Sequence, residues 1–553
     1  MRLRRIVLPA LALALVGCGA NEQQPKTSTE AKAGGTLYIL SDRATNPFDL
    51  AKSQGLPITT LGLVHRRLNA WNTAPGKDAT VAPDLGTDAG TTTDGGKTWK
   101  FTLKDGLKFS DGSPITSADV KWGVERSFAP TFSGGLGYHK TLLEGGSTYK
   151  GPFAGQELNS IETPDTKTLI FHLARPYGDW PWIASTAAFA PVPKGKGTEA
   201  TYGEHPIASG PYQVSKYQSG IEIRLTHNPQ WSKDTDPNRT GLPNEIVFQL
   251  GQQSTVISKR LIDDSGNDKD AVSIPFVAPA QLAQLQGNAS AKKRLVTSSS
   301  GAVAYLAINV TRGPLTDPRV RQAFQYAVDK SAFQVASAGS AALAGDVATT
   351  LITPGIGGRE KFDLYPAPPT GDPAKAKALL AAAGHPAGLD NLTLVVSNAN
   401  NSAEKAQAIQ AAVARAGIKV TIKPLDSDAF DEAITGSKGD YDLALLSWQA
   451  DFPSPNANLQ PLYASSEIGN GGYNVSRYSN PAVDQAITQA QSVVDPVAAG
   501  KQWAAIDKRI MQDSPVVPLI YTRNSFLHGS AVTGFYIPEF PAYPNYLQIG
   551  LGQ

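Results

Sequence analysis

The sequence predicts an α/β protein with a partly parallel sheet, and three observations carry that reading. Residues 392–396 read as a strand, 402–416 as a helix closed by Gly417, and 418–422 as the next strand, an order that makes the two strands parallel neighbours. Helices opened by an Asp-Pro pair recur in the second half. The first half instead shows half-buried strands separated by Asp-Gly turns. A length of 553 residues allows three or four domain-sized units at ~150 residues each.

The N-terminus comes first. Arg2, Arg4 and Arg5 precede an apolar run over 6–16, which is too short to cross a hydrocarbon core needing ~20 helical residues. A basic start and a short apolar segment form a secretory leader. Leu15, Val16, Gly17 and Cys18 resemble a lipoprotein processing site, with Cys18 the residue to be lipidated. The expectation is therefore a leader over 1–17, a polar tether over 18–33, and an exported body held to a membrane by lipid on Cys18.

In the body, 37–40 reads as a strand. Thr98 to Leu103 alternates, with Trp99, Phe101 and Leu103 on one side, and 107–109 reads as a short strand. Thr116 and Asp119 form a capping box for a helix whose inner face carries Val120, Val124 and Phe128. Asp317 and Pro318 start a helix with Val320, Ala323, Phe324, Ala327 and Val328 inward. Asp372 and Pro373 start another, with Ala376, Leu379, Leu380 and Ala383 inward and Gly384 at its end. Residues 441–447 read as a buried strand that leads directly to Asp451, and α/β sheets gather ligands beyond the carboxyl ends of strands.

Composition excludes several function classes. With 50 Lys+Arg against 48 Asp+Glu, the chain lacks the basic excess that neutralises nucleic-acid phosphates. A single cysteine excludes disulfide frameworks, zinc ribbons and iron–sulfur clusters built on cysteine. Gly90 to Thr98 looks like a phosphate loop, but has one residue too many before Gly96, Lys97 and Thr98 and runs into a strand instead of a helix; it reads as a hairpin turn. The seven histidines are scattered, and the acidic run 263–270 lacks the ligand order of a calcium loop. No metal or cofactor is expected.

Several stretches together resemble the substrate-binding lipoproteins of peptide-type ABC importers, solute-binding protein family 5. The most specific is 98–128 (TWKFTLKDGLKFSDGSPITSADVKWGVERSF); 208–214 (ASGPYQV), 225–231 (LTHNPQW), 306–310 (LAINV), 317–329 (DPRVRQAFQYAVD), the Ala/Leu-rich helix 372–384, 478–484 (YSNPAVD) and 514–519 (SPVVPL) follow. The resemblance implies a two-lobed periplasmic-binding-protein-like clamp of type II with an extra third domain, built on mixed sheets with flanking helices. Lobe I would comprise 34–62, 205–300 and 516–553, the inserted domain 63–204, and lobe II 301–515. It implies a monomer and no enzyme: an extracytoplasmic binding component that takes peptides, in particular oligopeptides, into a closing cleft and passes them to a permease driven by a separate ATPase. An exported hydrolase and a peptide-sensing receptor are the alternatives.

Peptide-binding members hold the ligand α-ammonium with an aspartate in a Trp-x-x-Asp segment, which here is Trp448, Gln449, Ala450 and Asp451. The backbone from Ser447 to Ala450 would pair with the ligand main chain as an added strand. Asn46, Phe48 and Tyr212 are further candidates for the cleft. Dipeptide-type members carry an arginine after the strand corresponding to 392–396. This chain has only Ser and Asn side chains with Ala399 over 397–402, which argues against a dipeptide ligand.

Overall fold

A computed structural model describes residues 32–552 apart from Ser133, Gln286 and Asn400. The leader, Cys18 and nearly all of the tether lie outside the described residues.

Two mixed sheets organise the molecule. The five-stranded sheet runs Ala271–Ser273, Thr36–Leu40, Glu245–Gln249, Glu222–His227, Tyr212–Gln218. Its first three strands are parallel and its last two antiparallel. The six-stranded sheet runs Gly345–Val347, Val516–Thr522, Val303–Ile308, Leu443–Trp448, Leu389–Ser397, Ile418–Leu425. Here the β-α-β unit expected from the sequence is present: Leu389–Ser397, the helix Ser402–Ala414 and Ile418–Leu425 give a parallel pair. The helices Pro318–Ala327 and Pro373–Ala382 are capped by Asp317 and Asp372 and bury the predicted Val320, Phe324, Ala376 and Leu380 against this sheet, while Leu379 and Ala383 are only partly covered.

Between the strands Thr36–Leu40 and Tyr212–Gln218 lies a unit with its own small sheet, Thr98–Thr102 beside Thr168–His172 beside Ile161–Glu162, and the hairpin of Asn69–Asn72 with Thr80–Pro83. Its helix Ser117–Arg126 starts where expected, the Asp119 carboxylate accepting from the Thr116 amide at 2.8 Å and hydroxyl at 2.6 Å. The glycine-rich stretch before it is a turn. One Asp94 oxygen accepts from the Thr92 hydroxyl and from the amides of Lys97 and Thr98, leaving no anion cradle. The expected strand at 107–109 is reduced to a single bridge, Lys108 to Pro114, between two turns.

Two buried ion-pair networks fix this unit to the five-stranded lobe. Asp84 binds Arg66 at 2.8 Å and Arg239 at 2.8 Å, and Asp236 joins the same cluster, 3.1 Å from Arg239 and 3.6 Å from Arg66. Burial alone would raise the Asp84 pKa; the Arg239 and Arg66 guanidiniums outweigh it and hold the carboxyl well below the usual range. The second network is a fork of Arg126 on Asp49, both contacts at 2.7 Å.

One domain boundary needs correction. Val516–Thr522, expected in lobe I, is an inner strand of the six-stranded sheet, where its apolar run (Val516, Val517, Leu519, Ile520) is buried on both faces. The chain crosses back only afterwards. Ser525–Leu527 pairs antiparallel with Leu295–Thr297, so the two lobes are joined by a two-stranded ribbon. The tail then packs on lobe I, with the Thr240 amide donating to the Leu547 carbonyl at 3.0 Å and the Tyr546 hydroxyl to the Ser273 carbonyl at 2.7 Å.

Candidate functional site

A cavity of about 690 Å³ lies over the carboxyl ends of the parallel strands of the six-stranded sheet, within the size range of small-ligand sites. Its floor is Leu445, Leu446 and Ser447 with Ala304 and Tyr305; Gln54, Leu136 and Phe276 reach it from the other lobe and the inserted unit.

The floor contains an open strand edge. Along one flank, Val303 to Ile308 pairs with the whole of Leu443–Trp448. On the other flank, pairing with Leu389–Ser397 ends at Val395 opposite Ala444. Beyond that point Leu389–Ser397 keeps only its partner on the far side, as far as Ser397 opposite Leu425. The two strands therefore splay, and Ser397 and Ser447 face the same cavity across the gap. An extended ligand backbone fits such a gap as an added strand.

Asp451 lines this cavity. The Tyr138 hydroxyl, from the helix Tyr138–Leu142 of the inserted unit, donates to its Oδ2 at 2.7 Å. Burial raises the Asp451 pKa, and the Tyr138 hydrogen bond only partly opposes that rise. No cation lies within ion-pair distance of Asp451 among the described residues, so its carboxylate is available to one brought by a ligand.

The other sequence-predicted residues divide. Ser447, Trp448 and Gln449 line the cavity. Trp448 is held by its indole N–H donating to the Ala457 carbonyl at 2.8 Å and by contact with Tyr473, ring centres 5.4 Å apart. Ala450 is 1% exposed and its side chain packs in the core, while the role expected of it belongs to its backbone. Phe48 and Tyr212 are likewise corrected to lobe I core. Phe48 is 0% exposed, edge-on to Phe248, and the Tyr212 hydroxyl donates to the Pro243 carbonyl at 2.8 Å. Asn46 is half-buried and sits near Thr60, away from the cavity wall.

Sequence reasoning missed the cavity's cations. Lys405 lies one turn into the helix Ser402–Ala414, just past the uncharged 397–402 segment, and lines the cavity. Burial lowers its pKa, Glu404 opposing, and among the described residues it has no ion-pair partner within 4 Å. Arg523 also lines the cavity and reaches Asp346 at 3.2 Å, but its Nε is buried without a partner. Phe276 and Tyr473, 42% and 45% exposed, put an aromatic ring on the cavity wall from each lobe, and no sequence signal singles them out. No cluster of three His, Cys, Asp or Glu able to hold an ion occurs among the described residues. His65 and His139 are buried and neutral, burial pushing both down to about 3.

Two lobes joined by a ribbon, with a cavity at the strand ends that residues of both lobes line, describe a clamp. The chain belongs to the bacterial extracellular solute-binding proteins, family 5, whose sequence profile (the "Middle" region) matches residues 80–470. It is 28% identical to the glutathione-binding protein GsiB of Escherichia coli O1:K1 / APEC over 457 residues, 81% of this chain and 82% of that protein. Among solved structures it is similar to clavulanic acid biosynthesis oligopeptide binding protein 2, with a TM-score of 0.87 and 30% identity over 94% of this chain and 96% of the other. The fold is shared with the periplasmic binding protein DppA from Helicobacter pylori in complex with peptide STSA, at a TM-score of 0.69 and 19% identity over 94% and 99%. Proteins of this family are the substrate-binding components of ABC importers and work outside the cytoplasm. Among the described residues no helix is long and apolar enough to cross a membrane.

Proposed function

We propose that this chain is the lipid-anchored binding subunit of an ABC importer for short peptides, tethered through Cys18 and delivering ligand to a permease and its ATPase. The observation that carries the reading is Asp451: a carboxylate with no cation in ion-pair distance among the described residues, at one end of an open strand edge, in a cavity of peptide size. The edge takes up a ligand main chain whatever its side chains, and Asp451 receives the α-ammonium through charge-assisted hydrogen bonds. Lys405, a cavity cation with no ion-pair partner among the described residues, receives the terminal carboxylate in place of the arginine that the 397–402 segment lacks. Oligopeptides and glutathione both present an α-ammonium and carboxylates, in keeping with the names of the relatives at 28% and 30% identity. The lobes close over the ligand about the ribbon, and the ligand leaves chemically unchanged.

Calorimetry with glutathione and with di- to penta-alanine, each also N-acetylated or C-amidated, tests this. N-acetylation and Asp451→Ala are each expected to weaken binding about 10- to 100-fold, the worth of a hydrogen bond to a charged group. Amidation should cost the wild type more than it costs Lys405→Ala. Equal affinity for free and acetylated peptides would remove Asp451 from this role. Loss of palmitate labelling in Cys18→Ser checks the anchor.

A further inference from the structure

The inserted unit has no strand in either large sheet, yet it touches the segment that carries Asp451. That segment, 451–456, leaves the strand Leu443–Trp448 and enters the helix Asn456–Tyr463. Asp451 accepts from Tyr138. Phe452, 0% exposed, packs edge-on to the Tyr138 ring at 5.3 Å. At the segment's far end the Ser454 hydroxyl donates to Asp179 Oδ2 at 2.7 Å, and the Asn456 amide donates to the same oxygen at 3.1 Å and to the Tyr177 hydroxyl at 2.7 Å. Gln491 closes the set, its amide donating to Asn456 Oδ1 at 3.0 Å while its own oxygen accepts from Arg175 at 2.7 Å.

Asp179 is the hub of this contact. Asp179 is partly buried, and no cation lies within ion-pair distance of its carboxylate among the described residues; its partners are the two donors of the Asp451 segment. A carboxylate partly withdrawn from water without a counter-ion depends on its hydrogen-bond donors, and the Ser454 hydroxyl and Asn456 amide are those donors here. They tie the 451–456 segment to a unit that two buried ion-pair networks in turn hold rigidly against the other lobe.

We infer that Asp179 is a positioning residue for the ligand site: through Ser454 and Asn456 it holds the 451–456 segment so that the Asp451 carboxylate meets the cavity. The inserted unit is then a working part of the site. The link to ligand affinity rests on the role proposed for Asp451; the link to the segment's order does not.

Hydrogen-exchange mass spectrometry of the full chain, with tri-alanine binding measured alongside, tests both links. Asp179→Ala is expected to speed exchange across 449–458 while leaving 389–397 as in the wild type, and to weaken tri-alanine binding about tenfold. Asp179→Asn, which keeps an oxygen for the two donors, is expected to restore both values to near wild type, which also guards against a folding defect in the alanine variant. In an Asp451→Ala background, Asp179→Ala should cost no further affinity. Unchanged exchange at 449–458 in Asp179→Ala would overturn the inference, as would an affinity loss of the same size with and without Asp451. If wild type and Asp451→Ala bind tri-alanine equally, the proposed role of Asp451 fails, and the exchange result still decides whether Asp179 orders the segment.

Discussion

Asp507 offers the most quantitative test of the structure. It lies on the helix Pro496–Asp513, 1% exposed, and its carboxylate accepts from the amides of Leu351 and Ile352 at 3.1 Å. Burial raises its pKa from 3.8 to about 7, against the lowering effect of those amides and of Arg359. The sign follows from proton uptake. Between these two values the folded protein holds a proton at Asp507 that the unfolded chain has released, so stability falls as pH rises from about 4 to about 7 and is level on either side. At 1.36 kcal/mol per unit the interval corresponds to about 4 kcal/mol at most. Asp507→Asn keeps an acceptor for the amides and cannot ionise. Urea unfolding of both proteins from pH 4 to pH 8 should show little difference at pH 4 and the variant ahead by about 2–4 kcal/mol at pH 8. A difference that stays constant across that range would refute the reasoning, because it would mean that burial at this site does not favour the neutral acid.

Three further outcomes are expected. Asp84→Ala, which leaves Arg66 and Arg239 buried without their shared carboxylate, should cost about 3–5 kcal/mol in urea unfolding, far more than loss of the exposed pair Lys167–Asp105, worth under ~1 kcal/mol. Gly178→Ala places a Cβ on the Val493 carbonyl, where the inserted unit meets lobe II, and should lower the melting temperature by several degrees. Trp448→Phe removes the indole donor to Ala457 but keeps the ring against Tyr473; it should weaken tri-alanine binding less than Trp448→Ala does, by calorimetry.

Local chemistry made much of the fold legible. Asp317 with Pro318, Asp372 with Pro373, and Thr116 with Asp119 each start a helix where the sequence says, because a cap is settled within one turn. The β-α-β unit was legible because its three elements are consecutive and a parallel pair needs the crossover between them. The strand expected at 441–447 begins at Leu443: Tyr441 is buried by a different route, its hydroxyl donating to the Val475 carbonyl at 2.7 Å. Phe48 and Tyr212 were misplaced because an aromatic side chain reads alike in a cleft wall and in a core.

By itself the sequence determined the class: the α/β pattern and a family resemblance that the match over residues 80–470 makes firm. It also pointed to Asp451, because a carboxylate following a buried strand is a local arrangement. Tertiary structure alone decided that Val516–Thr522 completes the second sheet, since a strand's partners are set by what lies beside it and not by its own residues. It alone brought Gln54, Phe276, Lys405 and Tyr473 to one cavity, and Asp179 to the segment that holds Asp451. Such sites are built from side chains hundreds of positions apart, and neither periodicity nor spacing records a distance of that kind.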